Sequence, residues 1–149
     1  MDKKDILTQL RNARTSHIQW RAYAQALVSG IPVAEEHVPV IHTNCKFGQW
    51  YYGQGQALSS LDSYEAIATP HESLHQIYIN IFKLLFGEDD RSAMQKLFGS
   101  SSRLKKNNQQ QAQELMQNLL DISETLLLAI RQLEDDIKNM SDAELAELY

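Results

Sequence analysis

Three histidines and a single cysteine stand at spacings that suit metal chemistry. They are His17, in His17-Ile18-Gln19-Trp20; Cys45, in Cys45-Lys46-Phe47-Gly48-Gln49-Trp50; and His71 and His75, in His71-Glu72-Ser73-Leu74-His75. His71 and His75 are i and i+4, so on a helix both project from one side and can share an ion. Cys45 falls at the expected start of a short helix, where the dipole and free N–H groups favour the thiolate. Three imidazoles and one thiolate complete a tetrahedral set for Zn²⁺. Trp20, Phe47 and Trp50 would wall the site off from water. Each residue also has a plainer reading. A histidine on an apolar helix face is commonly a hydrogen-bonded core residue. An i,i+4 pair can arise by chance among five histidines. A lone cysteine can pack as a small hydrophobe.

The same residues contain a competing motif, H-E-x-x-H, in which Glu72 would be the general base of a zinc metallopeptidase. Such an enzyme needs an open coordination position, which His17 and Cys45 would close. No convincing strand is present to align a substrate, and Glu72 has a structural role as the far end of a Thr69-Pro70-His71-Glu72 capping box. Of the other histidines, His42 lies three residues before Cys45 and could replace a ligand or pass a metal on. His37 adjoins Glu35-Glu36. Both read better as exposed loop residues. Gln54, Asp62 and Glu72 are candidates for hydrogen bonds to the histidines. Met94 and Met116 read as core fillers, and Arg103, Lys105 and Lys106 as a solvated helix start.

The elements that would position these residues are helices. From Ile6 the apolar or small positions are Leu10, Ala13, His17, Trp20, Ala24 and Leu27, a stripe with steps of three and four. Gly30-Ile31-Pro32 ends that helix. Residues 31–44 read as a loop, and Thr43-Asn44 as the cap of a short helix from Cys45 that stops at Gly53-Gln54-Gly55. A helix is expected to start at Thr69-Pro70 and run to Phe86, with Gly87 as its stop. A shorter one is expected near 90–98. The clearest periodicity is Leu115, Leu119, Ile122, Leu126, Ile130, Leu133 and Ile137, within a helix over about 103–139. Ser141-Asp142-Ala143-Glu144 is a second capping box, opening a terminal helix over 141–149.

Composition narrows the function. The 149 residues suffice for one domain, and 43% are hydrophobic, enough for a buried core. The net charge of −5 argues against a partner rich in phosphate, whether nucleic acid or anionic lipid. One cysteine excludes an intramolecular disulfide, and no apolar run reaches membrane-spanning length. The N-terminus lacks a signal-peptide apolar stretch, so a cytoplasmic location is expected. The fold class read from these patterns is all-α: an antiparallel four-helix-bundle-like single domain over 1–149 with additional short helices, forming dimers.

The full string of motifs resembles the chemoreceptor zinc-binding (CZB) domain family. Its signature is His-x-x-aromatic, Cys-x-apolar-Gly-x-aromatic and His-x-x-x-His, separated by two long gaps. Here the gaps are Arg21 to Asn44 and Tyr51 to Pro70, and the motif core is 17–75. The resemblance implies a helical bundle that binds Zn²⁺ through His17, Cys45, His71 and His75, with Trp20, Phe47, Gly48 and Trp50 at packing positions. It implies a non-enzymatic, homodimeric bacterial signalling module acting on a chemoreceptor or diguanylate cyclase in cis or trans. Zinc occupancy, or oxidation of Cys45 by an oxidant such as hypochlorous acid, would alter helix packing. The alternatives are a zinc buffer, a structural interaction module or the peptidase. One departure is that neither a cyclase domain nor a methyl-accepting coiled coil follows. The ending at Ser141 to Tyr149 favours a stand-alone member.

Overall fold

Asp2 and Asp5 each accept from the other's backbone N–H, a capping box that opens helix α1, Lys3–Val28, in the computed structural model of the protein. The structure describes residues 1–31, 42–86 and 101–149, with the backbone alone for 101–106. The helix ends where expected. Gly30 takes a left-handed φ of 84°, and the Ile31 N–H reaches back to the Ala26 carbonyl at 2.9 Å. The buried face is Ile6, Leu10, Ala13, His17, Trp20, Ala24 and Val28. It differs from the sequence stripe only in Val28, which takes the place given to Leu27.

Beyond α1 come a short helix α2, Lys46–Tyr51, a 3₁₀ turn, Gln54–Leu58, and helix α3, Asp62–Phe86. Next are the long helix α4, Ser101–Asn139, and the terminal helix α5, Asp142–Ala146. No strand occurs among the described residues. The fold is an all-α bundle in which α4 packs against both α3 and α1. Among the described residues the long helices number three, with α2 as a short addition. The helix expected near 90–98, the Gly87 stop and most of the loop read over 31–44 lie outside the described residues, as do His37 and Met94.

Helix α4 covers 39 residues, about 58 Å of rise. It buries Ala112, Met116, Leu119, Ser123, Leu126, Ile130, Leu133 and Ile137. Leu115 and Ile122, assigned to the core by their apolarity, are instead half-buried. Packing prefers their smaller or more flexible neighbours Ser123 and Met116, and Ser123 lies 3.3 Å from the Arg21 guanidinium of α1.

Polar contacts fix α1 antiparallel to α4. Lys3 Nζ donates to the carbonyls of Lys138 and Met140, Arg14 meets Glu134 at 2.9 Å, and Arg21 meets Glu124 at 2.7 Å. Glu134 is 1% exposed, and Arg11 and Lys138 also approach it, at 3.4 and 3.9 Å. A carboxylate can be buried that deeply only when cations compensate it. The capping box at Ser141 and Glu144 forms as expected and starts α5.

The start of α3 is a correction. Thr69-Pro70 does not open this helix; it begins at Asp62, and Pro70 lies inside it. A proline removes one intrahelical hydrogen bond and disfavours helix before it. Here the apolar stripe overrides that cost, because Tyr64, Ile67, His71, Leu74, Tyr78 and Ile81 are buried together at steps of three and four. The first turn of α3 is also clasped to α2. Tyr51 Oη donates to the Tyr64 carbonyl at 2.8 Å, Tyr64 Oη donates to the Tyr51 carbonyl, and the two rings stack at 4.2 Å.

Candidate metal centre

Each candidate donor reaches the centre for a local reason. His17 belongs to the core-facing stripe of α1. His71 and His75 share the buried face of α3, one turn apart. Cys45 is the N-cap of α2, a role the sequence gives to Thr43-Asn44. Its Sγ accepts from the Gly48 N–H at 3.2 Å and its thiol donates to the His42 carbonyl at 3.1 Å.

The four side chains converge. One donor atom from each of His17, Cys45, His71 and His75 can be chosen so that all lie within 4.8 Å of one another, and all four residues are buried. His71 Nε2 is 3.3 Å from Cys45 Sγ. A tetrahedral ion with Zn–S near 2.3 Å and Zn–N near 2.0 Å holds neighbouring donors about 3.5 Å apart. That pair therefore already stands at a coordination-sphere edge.

The ring nitrogens point to the same use. His17 Nδ1 lies 2.8 Å from the Ala13 carbonyl. A carbonyl can only accept, so Nδ1 carries the proton and Nε2 keeps its lone pair for an electrophile. Sequence reading missed this partner, because a backbone carbonyl leaves no side-chain signal. Gln54, Asp62 and Glu72, the candidates for that role, are all exposed. His71 Nδ1 is buried without a hydrogen-bond partner. His71 is fully buried, with its Nε2 turned to the Cys45 sulfur.

Burial favours the neutral forms of His17, His71 and Cys45. Burial, reinforced by the neighbouring rings of His17, His75 and His42, pushes the His71 imidazole down to about 2. Burial also lowers His17, against the raising effect of the Ala13 carbonyl. For Cys45 the expectation of a depressed thiol is corrected. Burial pushes it up, outweighing the N–H groups of Gly48, Phe47 and Cys45. The helix start is too short and the site too dry for the dipole to prevail.

These directions predict a pH dependence for the metal-free protein. An unfolded histidine titrates near pH 6.5, whereas the folded His17 and His71 stay neutral well below it. Between those values the unfolded chain binds more protons, so stability is full above pH 6.5 and falls as pH drops. The expected slope is up to about 1.4 kcal/mol per pH unit for each histidine held neutral. Urea titrations of chelator-treated protein at pH 7.5, 6.0 and 5.0 measure it. A flat profile would contradict the buried, neutral assignment.

Aromatic residues close the site. Trp20 packs on His75 at 5.1 Å, and Phe47 meets His17 at 5.4 Å and His71 at 5.2 Å. Trp50 stacks on Phe47, one ring removed from the donors. Gly48 and Gly55 are required by close approach. A Cβ on Gly48 would overlap the His42 carbonyl oxygen, and one on Gly55 would crowd the Trp50 ring. Glu72 is exposed, whereas His71 and His75 on either side of it in the motif are buried. His42 departs from the exposed-loop reading: it is half-buried, with its ring 5.8 Å from His71 and 6.3 Å from His75.

A buried cluster of three histidines and one cysteine, gathered from separate helices of an all-α bundle, has the donor set of a closed metal site. Residues 17–82 match the family model described as the chemoreceptor zinc-binding domain. The resemblance read from the motifs thus extends over that segment; the family so described is a sensory domain family and not a known enzyme family. No curated protein and no solved structure matches the chain significantly. No helix among the described residues is long and apolar enough to cross a membrane.

Proposed function

We propose that the chain is a single zinc-binding sensory domain over 1–149, in which His17, Cys45, His71 and His75 hold one Zn²⁺. The observation that carries this reading is the convergence of four buried donors from three separate segments within 4.8 Å. Bound there, the dication would supply the charge that draws the proton from the Cys45 thiol and a cross-link between α1, the Cys45 turn and α3. The chain's own residues do the rest. Ala13 orients His17, the Gly48 N–H steadies the sulfur, and Trp20 and Phe47 exclude water.

Signalling follows from that linkage. When the site empties, or when Cys45 is oxidised and loses its donor character, α1 and α3 lose a shared anchor and their packing against α4 can change. A homodimer would pass that change to a chemoreceptor or diguanylate cyclase type of output, in a reducing cytoplasm. The outward position of Glu72 supports a sensor over a peptidase, because a general base must reach the metal-bound water. A zinc buffer or static staple differs from a sensor in one measurable respect. Hydrogen exchange would then change only at the ligand segments, whereas a sensor also changes it along 115–137 of α4.

Metal content per chain, wild type beside Cys45→Ala, tests the centre. About one zinc per wild-type chain, lost or weakly held in the variant, is expected for a closed four-donor site. Equal, tight retention without Cys45 would overturn the assignment and return Glu72 and an open coordination position to consideration.

A further inference from the structure

The four donors are so thoroughly enclosed that metal must have a way in. His17, Cys45, His71 and His75 are at most 8% exposed, and four donors leave an ion no vacant position. Among the described residues, the ring of a further histidine, His42, adjoins the cluster. Its ring contacts those of His71 and His75 on one side and Tyr52, itself 37% exposed, at 5.6 Å on the other. Its backbone is held at the site by packing, because its carbonyl oxygen lies directly against Gly48. A half-buried side chain on a fixed backbone can change rotamer between solvent and site without moving the main chain.

We propose that His42 is an exchange ligand, a fifth donor at the mouth of the centre through which metal enters and leaves. This rests on the zinc-centre reading above. His42 presents a ring nitrogen from a half-buried position reachable from solvent. As it bonds to the ion one of the four enclosed donors lets go, so the coordination number stays at four and no redox partner is needed. Entry runs the same substitution backwards. The nearest donors for the handover are His71 and His75. The same position lets His42 serve as a weak fourth ligand when the thiolate is absent.

The test follows transfer of zinc from the loaded full-length chain to an excess of a chromogenic chelator, for wild type, His42→Phe and His42→Ala. Phenylalanine keeps the ring and removes the donor; alanine removes both. Transfer is expected to slow about tenfold or more in His42→Phe, a barrier change of about 1.4 kcal/mol. The equilibrium affinity should change little, because the four enclosed donors remain. A wild-type rate in His42→Phe, or release faster than wild type in His42→Ala, would make the ring a passive lid and overturn the proposal. A second measurement does not depend on rates. Cobalt(II) added to Cys45→Ala should give tetrahedral visible absorption that is lost in Cys45→Ala/His42→Phe; absorption unchanged by the second substitution counts against an exchange ligand. A wild-type chain that takes up no zinc would overturn the centre itself. Loaded protein with unaltered kinetics overturns only the role of His42.

Discussion

Stripping the metal with a chelator at pH 7.5 is expected to lower the thermal midpoint of the protein by about 8–16 °C. The magnitude follows from linkage. A ligand present at about a thousand times its dissociation constant stabilises the folded state by about 4 kcal/mol. For a chain of this size each kcal/mol shifts the midpoint by about 2–4 °C. The effect is large because the donors come from segments far apart in sequence, so the unfolded chain cannot assemble the site cheaply. Calorimetry with and without chelator, followed by re-addition of zinc, measures the shift and its reversal. Coincident midpoints would mean that the cluster does not hold a metal strongly enough to matter to the fold.

Replacing Gly48 by alanine is expected to cost about 3 kcal/mol, the upper part of the usual range for overpacking. The added Cβ meets backbone and not the tip of a flexible side chain. It would overlap the His42 carbonyl oxygen and stand 3.1 Å from Thr43 Cα. Relief requires the 42–45 turn to move away from α2, which breaks the Cys45 thiol bond to that carbonyl and shifts the N-cap. The sulfur moves with it. Zinc affinity should therefore fall by about 10–100-fold, the range seen when the supports of metal ligands are lost. Competition against a chelator of known affinity, together with denaturant unfolding, checks both parts. An alanine variant with wild-type affinity would show that the turn is not held by this contact.

Much of this arrangement is legible in the sequence where periodicity and chemistry coincide. The α1 stripe places His17 in the core, and the Ser141 box and the run from Leu119 to Ile137 set the C-terminal helices. The donor set is readable because widely spaced His and Cys residues carry a pattern of their own. Pro70 misleads. A Thr-Pro-x-Glu string is a good helix start by local rules, yet the buried faces of Tyr64 and Ile67 extend the helix upstream through it. Local propensity lost to tertiary burial there. The thiol misleads for a related reason: a cap position suggests acidity, but its depth in the fold sets the opposite direction. The spacing of His42 from Cys45 marks it as a possible ligand, but the sequence reads it as exposed because a histidine between a loop and a helix start has no periodicity to reveal which way its ring turns.

The reciprocal clasp of Tyr51 and Tyr64 gives the centre a fixed pivot. Helix α2 is riveted at its downstream end to the first turn of α3, the helix that carries His71 and His75. Displacement of the Cys45 sulfur therefore cannot be taken up by sliding α2 along α3. Rotation about the rivet is the motion left to it, with the Cys45 end of α2 travelling further than the Tyr51 end. The lever arm from that rivet to the cap position at Cys45 is the length of α2, about 9 Å for its six residues.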